Sequence, residues 1–140
     1  MNRKRRCKVL IDGNSKIAEQ LAAVIKSNYK INVLDVPNNG LVMLKMRENA
    51  KQSLFYIGEV AVIEARVEVQ GSIGLGVLIG SDSQLAYNLA VIDAAYNANL
   101  PEILSWREIL LAEEGLIENK IKSKTASILK TKVDFATMDV

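Results

Sequence analysis

Two acidic residues stand in apolar surroundings and are candidates for acid-base chemistry. Glu59 follows Gly58 at the front of a long predicted strand, and Asp93 interrupts an otherwise apolar predicted helix. A buried carboxyl group must be paired or have a shifted pKa, and a shifted pKa is a common property of catalytic acids. The alternative for Asp93 is a structural role, in which its carboxylate accepts a hydrogen bond from a backbone amide or an interface partner. We favour this structural role for Asp93.

The junction Gly80-Ser81-Asp82 precedes a predicted helix and is a candidate substrate-binding site. Free backbone amides at a helix start bind phosphate and other anions. However, Asp82 would repel an anion, and Ser81 and Gln84 have the spacing of a capping box. We therefore favour helix capping at this junction. The glycines between Gly71 and Gly76 do not follow the order of a phosphate-binding fingerprint, so they are predicted to be turn and strand glycines.

Composition narrows the chemistry that the chain can perform alone. The 140 residues include no histidine and one cysteine, which removes the commonest general base and the commonest metal ligand. No metal site is expected, and Cys7 is interpreted as an ordinary buried or partly buried thiol. The formal net charge of +2 is too small to indicate nucleic-acid binding. No apolar run approaches the roughly 20 residues that cross a bilayer, so we expect a cytoplasmic protein with no membrane contact.

The elements that must position these residues are predicted from hydrophobic periodicity. The pattern predicts one α+β domain over residues 1–140, with a helical N-terminus (1–30), a sheet (31–80), helices (81–130) and an extended tail (131–140). The sheet is predicted to be antiparallel, with about four strands.

Four signals define these elements more closely. Residues 55–70 alternate between apolar and polar side chains and, with residues 75–79, predict an antiparallel hairpin. The turn residues Pro37 to Gly40 divide residues 31–46 into two neighbouring strands. Gly115 separates a helix starting near Pro101 from a final amphipathic helix. The helix from Leu85 to Asn97 is apolar on most faces, which is typical of a helix that packs on a sheet and on something else, such as another subunit.

Five sequence blocks occur together in an order and spacing that resemble a known family. The blocks are Gly40–Met43, Phe55–Val60, Gly80–Asp82, Ala90–Ala94 and Val133–Met138. They are similar to the family of the G subunit of the carbon-phosphorus lyase core complex. The resemblance covers about Ser15 to Met138, and its specificity comes from the five blocks recurring together. The family commonly has an arginine at the position of Ser81, which weakens the phosphate-site hypothesis at this junction.

The resemblance implies a multi-subunit enzyme. It implies partners H, I and J, a second copy of this chain, and functional dependence on subunit L. The complex would attach a phosphonate to ribose C1 of ATP and release adenine. This chain would bind no cofactor, ATP would be a substrate of the complex, and the iron-sulfur cluster and S-adenosylmethionine would belong to a partner subunit.

The same resemblance implies where subunits meet. The apolar helix and the tail would be buried against subunit I and a second copy. The predicted interface residues are Leu85, Leu89, Ile92, Val133, Phe135 and Met138. The alternative function, of a different class, is a stand-alone ligand-binding or regulatory homo-oligomer without catalytic activity.

Overall fold

The computed structural model describes residues 1–138, with side chains described through Leu129. Within these residues the chain forms four helices and three strands. In chain order these are α1 (Arg3–Asp12), α2 (Ser15–Asn28), β1 (Ile31–Arg47), β2 (Leu54–Val69), β3 (Ser72–Ile79), α3 (Ser83–Asn97) and α4 (Ile103–Met138). The predicted α+β class is confirmed, with an antiparallel sheet between N-terminal and C-terminal helices.

The sheet has the strand order β1-β2-β3, and both pairings are antiparallel. The predicted hairpin is β2-β3, closed at Gln70 and Gly71, whose positive φ angles of 51° and 79° form the turn. One face of β2 is buried, because Ile63, Ala65 and Val67 alternate with polar residues. This face carries the helices, and the opposite face of the sheet points away from them.

Helix α3 lies unusually close to β3. A Cβ added at Gly74 would come within 2.1 Å of the Ala90 carbonyl oxygen, and one at Gly76 within 2.0 Å of the Ala86 carbonyl oxygen. Only glycine therefore fits at these two strand positions. Around this contact the core gathers buried side chains from α1 to α4, including Leu10, Ile25, Ile92, Trp106 and Leu110.

The prediction of two strands over residues 31–46 is wrong, because β1 is one strand of 17 residues. Its pairing with β2 has register shifts between Val33 and Asp35 and between Asp35 and Asn38, which accommodate Pro37. Proline is tolerated here because β1 is an edge strand of the described sheet. The Asn38 side-chain amide donates to the Val36 carbonyl oxygen at 2.8 Å. This hydrogen bond satisfies a backbone acceptor beside the irregular stretch.

The prediction of two C-terminal helices followed by an extended tail is also wrong. α4 is a continuous helix of 36 residues that includes Gly115 and reaches Met138. An internal glycine costs a helix only about 1 kcal/mol relative to alanine, and α4 is held on both sides of Gly115 by packing of Leu110 and Ile117. Residues 131–138 contain neither proline nor glycine, so nothing in their backbone stops the helix. Asp139 and Val140 lie outside the described residues.

Candidate functional site

Asp93 lies on α3, is 3% exposed, and joins three elements. Its Oδ1 accepts a hydrogen bond from Arg6 Nη2 of α1 at 3.0 Å, and Arg3 Nε lies 3.2 Å from the same oxygen. Its Oδ2 accepts from the Leu75 backbone N–H of β3 at 3.0 Å. The backbone partner predicted by the structural alternative is therefore present.

Arg6 completes this cluster from the other side. It is 5% exposed, and its guanidinium carbon lies 3.8 Å from the centre of the Tyr96 ring, close enough for a cation-π contact. Tyr96 in turn packs on Trp106, with ring centroids 5.8 Å apart. The cluster of Asp93, Arg6 and Tyr96 thus fixes α1, α3 and α4 to one another and to the sheet.

Burial beside this cluster keeps the thiol of Cys7 protonated. Burial raises the pKa of Cys7, and the negative charge of Asp93 adds to this effect, while Arg6 and Arg3 act in the opposite direction. Burial also raises the pKa of Tyr96, and Arg6 opposes that shift. A protonated thiol is a poor nucleophile. Among the described residues, no buried side-chain nitrogen or oxygen lacks a hydrogen-bond partner, so every buried polar atom of this cluster is bonded within the chain.

Sequence reasoning missed Arg6. The basic run Arg3-Lys4-Arg5-Arg6 gives no sign that one arginine is buried. Helical spacing supplies the signal, because Arg6, Val9 and Leu10 lie three and four residues apart on one face of α1, and all three are buried.

Glu59 lies far from Asp93. It is exposed on β2 and is paired with Met43 of β1. Desolvation raises the pKa of the Tyr56 hydroxyl, and a hydrogen bond with Glu59 raises it further. Asp93 binds Leu75, whose strand partner is Arg66, seven positions from Glu59 along β2, or roughly 23 Å at the usual rise of a strand. The two candidate acids therefore do not form a catalytic pair.

At the junction before α3, the cap is Asp82 and not Ser81. The Asp82 Oδ1 accepts from the Leu85 backbone N–H at 3.0 Å, and the Gln84 side chain donates to Asn88 Oδ1 at 3.3 Å and so is not part of a capping box. Gly80, at φ 121°, turns the chain into this cap. The predicted capping function is confirmed with a different residue, and the Asp82 carboxylate stands where an anion would bind.

The predicted interface residues fall into two groups. Leu89 and Ile92 are 3% and 1% exposed in the chain's own core, and Leu85 is half-buried against that core. The core therefore explains the apolar character of Leu89 and Ile92 without a partner. The side chains of Val133, Phe135 and Met138 lie outside the described part of the chain.

A cleft of about 660 Å³ lies between the α1–α2 turn and α4. Its polar lining includes Asn14, whose backbone N–H donates to Glu113 Oε1 at 2.9 Å. Over residues 1–129, no group of three or more potential acidic, cysteine or histidine ligands gathers as a metal site would require. None of the helices described combines the length and the apolar character that a membrane span demands.

The fold and the buried cluster define a small α+β protein whose interior charges hold its helices on an antiparallel sheet. A family model described as phosphonate metabolism protein PhnG matches residues 1–139. The chain is also 30% identical, over 105 residues, to the alpha-D-ribose 1-methylphosphonate 5-triphosphate synthase subunit PhnG of Rhizobium meliloti (strain 1021). That match covers 73% of this chain and 65% of the relative. The chain therefore belongs to the PhnG family of phosphonate metabolism proteins.

Proposed function

We propose that this chain is an accessory subunit of the carbon-phosphorus lyase core complex, needed to transfer a phosphonate to ribose C1 of ATP with release of adenine. The observation that carries the proposal is the family match over residues 1–139. The relative's name supports it, because a ribose 1-methylphosphonate 5-triphosphate synthase makes the product expected of this transfer.

The proposed partners are the H, I and J subunits and a second copy of this chain, with subunit L acting functionally. ATP is a substrate of the assembly, and the iron-sulfur cluster and S-adenosylmethionine belong to a partner. We place the assembly in the cytoplasm. A role as a subunit fits the large apolar side chains left exposed on β1, β2 and α4, among them Leu41, Met43, Leu104 and Ile121, because such surface is typical of proteins that act in complexes.

Within this proposal, Asp93 has a structural role, since Arg6, Arg3 and the Leu75 amide occupy its carboxylate. Glu59 is the exposed candidate acid, and its carboxylate is accessible to groups outside the chain. It would order a substrate hydroxyl or a basic group of subunit I. A Glu59→Gln substitution tests this role, and Glu68→Gln provides a matched control on the same strand, nearer the core.

The deciding experiment is co-expression of this chain with the I, H and J subunits of its own organism, followed by size exclusion. Adenine release from ATP and methylphosphonate is then measured in the presence of subunit L, with and without this chain. The proposal expects co-elution and loss of adenine release when the chain is omitted. Full release without the chain, together with no co-elution, would refute the proposal and favour the stand-alone binding protein.

The Glu59→Gln variant tests the role of Glu59 separately from the accessory role of the chain. If Glu59 contributes to the reaction, Glu59→Gln lowers adenine release in the assembled complex while Glu68→Gln does not. Equal activity of both variants and the wild type would remove Glu59 from the reaction and leave the accessory role intact.

A further inference from the structure

Helix α4 continues beyond the body of the chain as an exposed helical arm. Among the described residues, the last α4 side chain that packs on the core is that of Ile117, and every described side chain from residue 118 to residue 129 is exposed. We call residues 118–129 the α4 arm, and at 1.5 Å per residue it is roughly 18 Å long. Most helices in proteins are stabilised by packing of an apolar face. The α4 arm therefore gains stability from a partner that covers it.

The apolar stripe that packs α4 on the core extends into the α4 arm. Its members are separated by seven, four and seven residues, so they lie within about 40° of one line along the helix, and they are Leu110, Ile117, Ile121 and Ile128. Leu110 is fully buried and Ile117 is partly buried, whereas Ile121 and Ile128 are 53% and 59% exposed. Such a narrow stripe is typical of a helix that pairs with another helix, while helices that lie on membranes have a broader apolar face.

The open part of this stripe begins where α1 ends. The cleft of about 660 Å³ lies at this point, between the α1–α2 turn and α4, and both Ile117 and Lys120 line it. A helix that lies on the α4 arm in line with α1 would place its end in this cleft. The cleft and the open stripe thus form one continuous groove.

The charge of α4 changes sign at the start of this groove. Where α4 lies along α1, it carries Glu113 and Glu114, and α1 carries five basic residues and one acid. Arg5 Nε of α1 donates to Glu114 Oε1 at 2.6 Å. Beyond α1, residues 119–133 contain five lysines and no acid, although the rest of the chain has more acidic than basic residues. A basic helix therefore covers the acidic part of α4, and the basic part requires an acidic partner.

The lysines of the α4 arm have no acidic partner within the described part of the chain. Lys120, Lys122 and Lys124 form no ion pair with any side chain that the structure describes. Lys120 lines the cleft, and Lys124 lies one helical turn further along the same side of α4. Like charges at this spacing destabilise a helix. Carboxylates beside these two lysines would relieve their repulsion.

We propose that the α4 arm docks against an acidic, amphipathic helix of a different protein. Apolar side chains of that helix cover Ile121 and Ile128, and its carboxylates pair with Lys120 and Lys124. Charges that flank an apolar seam determine which helices pair and in which orientation. The inference goes beyond the proposed function, because it concerns the kind of surface that binds and does not depend on the phosphonate chemistry.

A second copy of this chain does not supply such a helix. α2 has one acidic residue, Glu19, and the one acid of α3, Asp93, is buried. The two acids that α4 carries beside its stripe are bound within the chain, since Glu113 accepts from the Asn14 N–H and Glu114 accepts from Arg5. The described helices therefore offer no free row of acids beside an apolar stripe.

A designed peptide tests this chemistry on the full chain. The probe is a helical peptide of about three heptads with leucine at the a and d positions and glutamate beside them. The comparison peptide has lysine in place of glutamate. Fluorescence anisotropy is expected to show saturable binding of the acidic peptide that weakens with added salt. Binding of the basic peptide is expected to be at least about 100-fold weaker.

Matched variants separate the stripe from the charges. Ile121→Ser is expected to weaken binding of the acidic peptide about tenfold. Leu104→Ser is its control, because Leu104 is an 80% exposed residue of α4 away from the stripe, and this variant binds as the wild type does.

Charge reversal provides the second comparison. Lys120→Glu combined with Lys124→Glu is expected to weaken binding of the acidic peptide at least about tenfold and to strengthen binding of the basic peptide. Lys30→Glu combined with Lys51→Glu makes the same change in net charge at exposed positions outside α4 and should leave both affinities nearly unchanged. Circular dichroism verifies that each variant is folded.

Several results would overturn the inference. The first is equal binding of the two peptides, or no binding of either up to about 100 µM. Others are wild-type affinity of Ile121→Ser, and equal loss in the two charge-reversed pairs. Duplex DNA or phosphatidylserine vesicles that bind as tightly as the acidic peptide, with no effect of Ile121→Ser, would show a general anion-binding surface instead. Self-association of the chain that the Lys120 and Lys124 reversals abolish would assign the α4 arm to a second copy and refute the choice of a different protein. None of these readouts uses adenine release, so the proposed function stands or falls separately.

Discussion

Replacing Asp93 by alanine removes the carboxylate that joins α1, α3 and β3. Arg6, at 5% exposure, then keeps its charge inside the protein without the oxygen that lies 3.0 Å away. Breaking a buried ion pair from one side costs about 3 to 5 kcal/mol. The Leu75 amide also loses its acceptor, although the cation-π contact of Arg6 with Tyr96 remains. We expect a loss of about 4 kcal/mol, a large part of the roughly 5 to 15 kcal/mol typical of a domain.

Urea unfolding followed by tryptophan fluorescence measures this loss. The single tryptophan, Trp106, is 2% exposed and packs on Tyr96 of the same cluster, so its emission reports on the affected region. Asp35→Ala is the matched control, because Asp35 forms an exposed ion pair with Arg66 worth less than about 1 kcal/mol. Thermal unfolding of Asp93→Ala is expected about 12 °C below wild type, from the usual scaling for a domain of this size.

A double-mutant cycle separates the cost of leaving a buried charge unpaired from the cost of lost packing. In an Arg6→Met background no buried cation is left unpaired, so Asp93→Ala is expected to cost at least about 1.5 kcal/mol less than in the wild type. If Asp93→Ala costs no more than Asp35→Ala, or the same amount in both backgrounds, the assignment of a structural ion pair at Asp93 is wrong.

Three further perturbations follow from the same structure. Cys7 is expected to react with iodoacetamide more slowly than a free cysteine at neutral pH and to reach the free rate on unfolding, because burial raises its pKa; an unchanged rate on unfolding would contradict this. Gly74→Ala is expected to cost about 2 kcal/mol in urea unfolding, since α3 must move away, while Gly58→Ala, in open space, changes stability by much less. The hydrogen bond with Arg5 lowers the pKa of Glu114, so its stabilising contribution is present above the ordinary pKa of 4.5 and is lost as the pH falls through the folded value. Thermal unfolding of Glu114→Gln should therefore depend less on pH in this acid range than that of the wild type, and identical pH profiles would contradict the role of this pair.

The sequence predicts individual helices and strands of this fold well, but it predicts poorly where one element ends and the next begins. The period of two in β2 and the apolar helix α3 are visible in the chain because one face or most faces of these elements are buried. By contrast, a turn signature at Pro37 to Gly40 looks the same whether the chain reverses or continues as an irregular edge strand. The register with β2 and the hydrogen bond from the Asn38 side-chain amide to the Glu64 carbonyl oxygen of β2 decide between these outcomes, and both are tertiary features.

The residues of the candidate site were also predictable to different degrees. Asp93 stands out in the sequence as an acid in an apolar helix, so its burial was predictable. Its partner Arg6 was not, because it lies 87 residues away in a run of basic residues. Likewise, Asp82 and not Ser81 caps α3 because of the direction that the backbone takes after Gly80. The spacing of residues in the sequence does not encode this direction.

The contacts that stabilise this protein are concentrated in one part of it. The Asp93 cluster and the close packing of α3 on Gly74 hold the proximal sheet and the helices, and they lie on the core side of Val62. Residues 40–47 of β1 and 54–61 of β2 form a two-stranded ribbon beyond that point, and its large side chains, among them Leu44 and Met46, are exposed. Substitutions at Asp93 should therefore lower the stability of the chain, whereas Leu44→Asp should have little effect on unfolding of the core. If Leu44→Asp destabilised the chain as much as Asp93→Ala, the ribbon would belong to the same folding unit as the core.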